Sequence, residues 1–594
     1  MAGFADTGNV VDVTPTDEAL HYMGRWDMAN PARPAAGWQG ASITMNFTGQ
    51  ALSVTLAAGT ATEYFRVVLD DDTAGSHKIA VTANKATYQI ATSLSAGPHK
   101  VEVIKETYEG TNATFFGFSI TGANAGTLPP PAPPTRRIEF YGDSNLAGQS
   151  LESEEDEAYT SLRGSFFGYA GITARMFDAS YHNISASGET ISSLHEKYNQ
   201  TDWWDASALW DFDRYRPDVV VVNLGANDVG KPKAEIKQDY HNFLDALRTV
   251  HPQAHIMLFN AFGWDKNEPA NYTHEVIAER NDANMSSTIF PWVFEQFHGS
   301  EYDHAGMANV LATHLSGVMG WTSAASDVVS GFGLNGDVAN GSFEEAAPFG
   351  GFAWRYANQK GVKRINNPAN AYDGNYAIRL SQRASIHQPN PASNGDNVTV
   401  TLWLRGGKKG DKAKLDISFR NQQIYSDPLE STTQTVSLSR SWQTYTISAT
   451  APTTDEAVYN TRITISAAGR KDVVNVDAVS MSINGSTGSF IVPFERDASF
   501  NTPSLAPLTF ALNPAYPNPF SNRTTISYTL AEDAQVRLEV FDVLGRSVAT
   551  LVDHYQPATK YQLEFEADTL PQGIYFYRLS ADEYTATRLL HVKK

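Results

Sequence analysis

The stretch Arg136-Arg137-Ile138-Glu139-Phe140-Tyr141-Gly142-Asp143-Ser144-Asn145 decides how the middle of this chain is read. Its β-forming residues stop at Gly142, and Asp143-Ser144 follows on a loop. A serine at the C-terminal end of a parallel strand stands where open α/β sheets expose reactive groups. Alone, Gly142-Asp143-Ser144-Asn145 reads equally well as a polar turn. The flanking sequence has to decide.

From 136 to 328, strands and helices alternate. Strand candidates are 138–141, 182–185, 218–224 and 255–260. The run Asp218-Val219-Val220-Val221-Val222-Asn223-Leu224 is apolar on both faces, as a central parallel strand must be. A helix over 233–250 aligns Ile236, Tyr240, Phe243, Leu244, Leu247 and Val250 on one face. A last helix is expected after His304, with Met307, Val310, Leu311, Leu315 and Val318 inward. This is the pattern of an α/β/α layered domain.

Polar punctuation marks the same domain at three further points. Ser185-Ala186-Ser187-Gly188 and Gly225-Ala226-Asn227-Asp228 each follow a strand, and Glu301-Tyr302-Asp303-His304 precedes the last helix. Loops at one edge of a parallel sheet can converge on Ser144. A serine hydroxyl needs a base and donors for the developing oxyanion. In that scheme Ser144 attacks a carbonyl carbon and His304 carries the proton. The N–H groups of Ser144 and Gly188 and the amide of Asn227 form the oxyanion hole. His298 is the alternative base, while His314 on an apolar helix face reads as structural. Asp143 and Asp228 read as loop anchors. The elbow Gly-x-Ser-x-Gly is not present around Ser144, which disfavours the α/β-hydrolase fold. Trp264, after the fourth strand, could stack on a sugar ring or fill the core.

At 594 residues the chain is too long for one core and implies roughly three to five domains. Hydrophobic residues make up 42%, as in globular proteins, and the net charge of −20 argues against a nucleic-acid partner. With no cysteine, disulfides, thiolate metal sites and a cysteine nucleophile are excluded together. No apolar run approaches the ~18 residues of a membrane span. The first residues show no basic stretch followed by an apolar one, so a leader is expected to be absent or already removed.

Residues 1–126 alternate with the period of strands at 42–47, 52–56, 65–70, 87–91 and 99–104, which suggests a β-sandwich. The proline-rich stretch 127–135 then reads as a stiff spacer. β-strand patterns return over 335–484. A polar stretch at 485–510 separates a last β module, 511–594.

Gly142-Asp143-Ser144, Gly188, Gly225-Ala226-Asn227-Asp228 and a late His304 resemble the four blocks of the SGNH (GDSL-type) hydrolases. Gly24-Arg25-Trp26-Asp27, Trp38-Gln39-Gly40-Ala41 and Phe116-Gly117-Phe118, followed by the proline stretch, resemble carbohydrate esterase family 2. That resemblance implies a jelly-roll joined to an SGNH domain that removes acetyl groups from plant polysaccharides such as xylan or mannan. It puts the nucleophile on Ser144, the oxyanion hole on Ser144, Gly188 and Asn227, and the base on His304. It also implies substrate stacking on Trp264 and no cofactor for catalysis. The usual Asp-x-x-His ending is replaced by Glu301-Tyr302-Asp303-His304, and family 2 esterases often orient the histidine with a backbone carbonyl. The orienting group is therefore read as Glu301, which holds the spacing of that acid, with a backbone carbonyl or the awkwardly adjacent Asp303 as alternatives.

Asn340-Gly341-Ser342-Phe343-Glu344, Asp373-Gly374-Asn375-Tyr376 and Val476-Asp477-Ala478-Val479 resemble a carbohydrate-binding module of the galactose-binding-like β-sandwich type. Trp354 and Tyr356 are its candidate sugar-stacking residues, and a structural calcium would fit the type. Ala515-Tyr516-Pro517-Asn518-Pro519-Phe520, Asp542-Val543-Leu544-Gly545-Arg546 and Leu570-Pro571-Gln572-Gly573-Ile574-Tyr575 closely resemble the type IX secretion sorting domain, an Ig-like sandwich. This implies a secreted or cell-surface protein that engages the type IX machinery after crossing the periplasm. Two other readings stay open: an SGNH esterase or lipase on another acyl ester, and a non-catalytic glycan-binding protein with a decayed SGNH core.

Overall fold

The computed structural model describes residues 9–110, 112–152, 159–228, 230–260, 271–289, 298–328, 338–344, 354–420, 427–454, 458, 460–485 and most of 510–593. Residues 1–500 and 501–594 form two separate compact units.

The α/β part of the first unit runs β1 (Arg136–Gly142), α1 (Tyr169–Met176), β2 (Ala179–Ser185), α2 (Ile191–His195), β3 (Val219–Asn223), α3 (Lys233–Val250), β4 (His255–Asn260), α4 (Asn271–Arg280), β5 (Met285–Ile289) and α5 (Glu301–Met319). The strands form one parallel sheet in the order β2-β1-β3-β4-β5. Strand residues alternate between two cores. Ile138, Phe140, Val219, Val221, Met257 and Phe259 pack with α1 and α5. Tyr141, Val220, Val222, Ile256 and Leu258 pack on the opposite face with Ile236, Tyr240, Phe243 and Leu244 of α3. Burial on both faces is why the valine run is uninterrupted. From β1 the chain moves outward to β2, then returns across to β3. The order therefore reverses beside β1, and a crevice opens at its C-terminal end, where Ser144 lies.

Two expectations need correction here. The last helix does not follow His304 but begins at Glu301, so His304 sits inside its first turn. Ser300 and Asp303 form a reciprocal capping box that starts the helix. The Ser-x-x-Asp signal was present in the sequence. The second correction concerns the proline stretch, which does not space the N-terminal sandwich from the α/β domain. Leu128 and Pro129 run along the sandwich, with the Leu128 N–H donating to the Asn46 carbonyl at 2.9 Å and Asn46 Nδ2 donating to the Pro129 carbonyl at 3.0 Å. The sandwich itself, two six-stranded antiparallel sheets, is keyed directly into the α/β domain.

That joint is ionic and fully buried. Arg25 Nη2 reaches Glu139 Oε1 on β1 and the Tyr141 hydroxyl, each at 2.9 Å. Its Nη1 donates to the carbonyls of Tyr198 at 2.6 Å and Gln200 at 2.7 Å. Burial alone would push the Glu139 carboxyl up, but Arg25 and the neighbouring His182 hold it well below the carboxylate range. Glu106 plays the matching role nearer the site. It pairs with Arg66 and accepts N–H bonds from Ser165 and Phe166, just ahead of α1. A buried charge is tolerated only when paired and bonded in this way.

Residues 338–484 form two five-stranded antiparallel sheets, one from Arg355–Ala357 to Glu430–Ser437 and one from Val362–Asn366 to Gln443–Thr450. Their shared core includes Trp354, only 1% exposed. This removes Trp354 as a sugar-stacking candidate; the Tyr356 side chain lies outside the described residues. The second unit has a three-stranded and a four-stranded sheet around Ile526, Val536, Leu538, Tyr577 and Leu590.

Candidate active site

Ser144 follows β1 on a tight loop held from within. The Ala147 N–H donates to the Asp143 carbonyl at 2.9 Å and the Gln149 N–H to the Ser144 carbonyl at 3.0 Å. Gly142 makes the approach possible, because a Cβ there would lie 2.6 Å from Leu146 Cβ and 3.0 Å from the Asn223 carbonyl. Asp143 turns inward and accepts the Asn145 N–H at 3.0 Å. Burial, then the nearby negative charge of Asp228, raises its carboxyl to about 7. As expected, Asp143 and Asp228 act as loop anchors: Asp228 accepts from the Ile191 N–H at 3.1 Å and from Lys231 Nζ at 2.8 Å.

Gly188 and Asn227 sit beyond the ends of β2 and β3, the two strands flanking β1. Gly188 is exposed with φ +85°, and no atom lies within 4 Å of where its Cβ would stand. Its conformation is one that glycine adopts freely. Asn227 Nδ2 donates to the Glu189 carbonyl at 2.9 Å, joining the β3 loop to the β2 loop. Ser187 Oγ donates to Gln149 Oε1, which joins the β2 loop to the serine loop. The structure thus brings Ser144, Gly188 and Asn227 onto three cross-linked loops at one sheet edge.

The N-terminal sandwich takes part in this arrangement, which its sequence did not disclose. Tyr108 Oη accepts the Ser187 N–H at 2.7 Å, beside Gly188. Gln39 Nε2 donates to the Ser185 carbonyl at 2.9 Å. The Tyr108 carbonyl in turn accepts Trp204 Nε1 at 3.1 Å, and Trp204 is left 49% exposed. Trp203 backs it at 6.4 Å between ring centroids, itself packed on Trp38 and Tyr108. Sequence reading passed over Trp204; the Trp203-Trp204 pair in an acidic, polar loop was the available signal. Trp264 lies outside the described residues.

His304 is placed inside the domain. It is fully buried at the contact of α5 with α1. Its Nδ1 accepts the Tyr169 N–H at 3.2 Å, and its Nε2 faces the His298 carbonyl at 3.4 Å. Burial lowers its pKa to about 4, so it stays neutral in the fold near neutral pH. Both of its nitrogens thus face backbone groups. The Asp303 carboxylate and the Glu301 backbone belong to the α5 start. The Glu301 N–H donates to the Leu151 carbonyl at 3.1 Å, and Asp303 Oδ2 accepts from the Ser300 N–H at 2.6 Å. His298 lies on the loop entering α5, its carbonyl fixed by His304. Three residues before it in sequence stands Glu295, at the spacing that Glu301 holds to His304; Glu295 is outside the described residues. Among the described residues no group of three or more His, Asp or Glu could hold a metal ion, and no helix is long and apolar enough to cross a membrane.

A parallel α/β sheet with a serine at the switch point and polar loops on both sides is the layout expected of an SGNH-type fold. Comparison with known families agrees. Residues 22–131 match the carbohydrate esterase 2 N-terminal domain, 140–288 the GDSL-like lipase/acylhydrolase family, and 514–593 the secretion system C-terminal sorting domain. The chain is 28% identical over 340 residues to the cellulase/esterase CelE of Acetivibrio thermocellus, covering 52% of this chain and 41% of that protein. It is 25% identical over 335 residues to an acetylxylan esterase / glucomannan deacetylase of Cellvibrio japonicus, covering 52% and 91%. Among solved structures it resembles a family two carbohydrate esterase from Clostridium thermocellum in complex with cellohexaose, at 28% identity and TM-score 0.48, over 51% of this chain and 99% of that one. The chain thus carries a carbohydrate esterase 2 N-terminal domain, a GDSL-like domain and a sorting tail. The tail marks a secreted or cell-surface protein.

Proposed function

We propose that the protein is a serine esterase that removes O-acetyl groups from a plant-type polysaccharide such as xylan or mannan, exported by the type IX machinery. The observation that carries this reading is the convergence of Ser144, Gly188 and Asn227 on adjacent, mutually bonded loops. Ser144 Oγ attacks the acetyl carbonyl carbon, and the N–H groups of Ser144 and Gly188 and the free amide hydrogen of Asn227 bind the oxyanion. We assign the base to His298 rather than His304, because His304 is committed to two backbone groups. Base-mediated transfer of the Ser144 proton to the departing sugar hydroxyl completes acylation; water, activated by the same histidine, releases acetate. Glu295 is our candidate for orienting His298.

Exposed Trp204 supports a sugar subsite beside the oxyanion loop. The names of the relatives support a carbohydrate ester as substrate. The purified protein should hydrolyse a chromogenic acetate ester and release acetate from acetylated xylan or glucomannan, with activity lost in Ser144→Ala. Absence of hydrolysis in the parent overturns the assignment, and preference for butyryl over acetyl would favour a general acyl esterase.

For residues 335–484 the reading is a glycan-binding module, with its platform on Tyr372 rather than Trp354. Tyr372 is 43% exposed and stacks on Trp403 at 3.7 Å and 14°. Trp442 meets it edge-on at 6.3 Å. Asp477 accepts the N–H groups of Tyr372 at 2.7 Å and Asp373 at 3.2 Å, holding the ring outward. Tyr372→Ala should abolish retention of the full chain on insoluble polysaccharide; unchanged retention refutes this site.

A further inference from the structure

The sandwich of residues 338–484 touches the esterase domain at a functionally loaded point. Arg355 opens an edge strand, Arg355–Ala357, paired with Ser385–Pro391. Its guanidinium leaves the sandwich, and Nη2 reaches the Asp303 carboxylate and, at 2.9 Å, Ser300 Oγ. Ser300 is the N-cap of α5, and Asp303 is the other half of its capping box, 1% exposed. A carboxylate so deeply buried is stabilised by an adjacent cation and by the helix N-terminus together.

Two loops of the site meet at this one helical turn. His298 lies two residues before the N-cap, with its carbonyl held by His304 from within α5. The segment after Ser144 is tied to the same turn by the Glu301 N–H on the Leu151 carbonyl. Whatever fixes the first turn of α5 therefore fixes the loop of the base relative to the loop of the nucleophile.

We propose that Arg355 is a positioning residue through which the sandwich of residues 338–484 braces the His298 loop, making that module part of the esterase and not only an attached domain. The proposal rests on the assignment of His298 as base. A displacement of a catalytic group by a fraction of an ångström is enough to slow chemistry without weakening substrate binding.

The test uses the full chain. Arg355→Met should lower kcat on the chromogenic acetate ester about 10-fold with KM little changed, and Arg355→Lys should restore most of it. Asp303→Asn should reproduce the loss, and the double variant should be no worse than either alone, because the two act through one contact. Amide exchange in a peptide spanning 298–306 should accelerate in Arg355→Met. Parental kcat together with parental exchange overturns the proposal. Faster exchange with parental kcat also overturns it, reducing Arg355 to a structural contact. If the parent itself fails to hydrolyse esters, the esterase assignment falls; unchanged exchange in Arg355→Met would then remove the brace as well, and faster exchange would retain it.

Discussion

Exchanging the fates of two histidines separates a structural from a chemical role. His304→Ala leaves the Tyr169 N–H and the His298 carbonyl without their partner in a buried contact. Each unsatisfied backbone group costs about 1–3 kcal/mol, and the space left by the imidazole adds roughly 1–2 kcal/mol. The expected destabilisation is therefore about 4 kcal/mol, concentrated where α1 meets α5. Activity should fall only moderately, about 10- to 100-fold, because His298 is displaced and not removed. His298→Ala should do the reverse: a smaller loss of stability than His304→Ala and kcat reduced about 10³-fold or more. The assays are initial rates on a chromogenic acetate ester and urea unfolding. Amide exchange of the 169–176 peptide is added, since a chain of several domains unfolds in steps. A stably folded His304→Ala with kcat down more than 10³-fold, beside an active His298→Ala, would refute the reasoning.

The pH dependence of stability should show two opposed contributions. His304, lowered to about 4 in the fold from 6.5, stabilises fully above pH 6.5 and loses about 3 kcal/mol as the pH falls from there to 4. Asp143, raised to about 7, works the other way, with stability present below 3.8 and lost as the pH rises through 7. Asp143→Asn should therefore gain stability relative to the parent between pH 4 and 7, by about 4 kcal/mol, in parallel urea titrations; a flat difference would contradict the buried, raised carboxyl. Tyr108→Phe removes the acceptor of the Ser187 N–H and should lower kcat about 10-fold with KM little changed; an unaltered rate would show that the sandwich does not hold the oxyanion loop. Arg25→Met leaves buried Glu139 charged without its guanidinium, with only His182 and His251 beside it, and should cost about 3 kcal/mol, partly restored by adding Glu139→Gln; unfolding that matches the parent would remove the ionic joint as a source of cohesion.

Residue patterns alone were enough for the layers of the α/β domain and for the serine, because local periodicity and turn chemistry encode both. Four uninterrupted valines require burial on two faces, and 3.6-residue spacing in 233–250 requires one. Gly142, Gly188 and Asn227 were legible because each ends or follows a strand, and parallel strands deliver such ends to one edge. β5 escaped notice because its Ser286, Ser287 and Thr288 give no apolar signal, and α2 because five residues make little pattern.

The two histidines part company only in the tertiary structure. In sequence, His304 carries an acid three residues before it and opens an apolar helix, and His298 carries an acid at the same spacing. Nothing local distinguishes them. What does is the packing of α5 on α1, which places the Tyr169 N–H against one His304 nitrogen and the His298 carbonyl against the other. The role of the sandwich was hidden for the same reason: Arg25, Gln39 and Tyr108 are ordinary residues until a fold sets them beside Glu139, Ser185 and Ser187. Periodicity reports which face of an element is buried. It carries no information about which distant polar group a buried side chain meets, because that depends on contacts 79 to 146 residues apart in the chain.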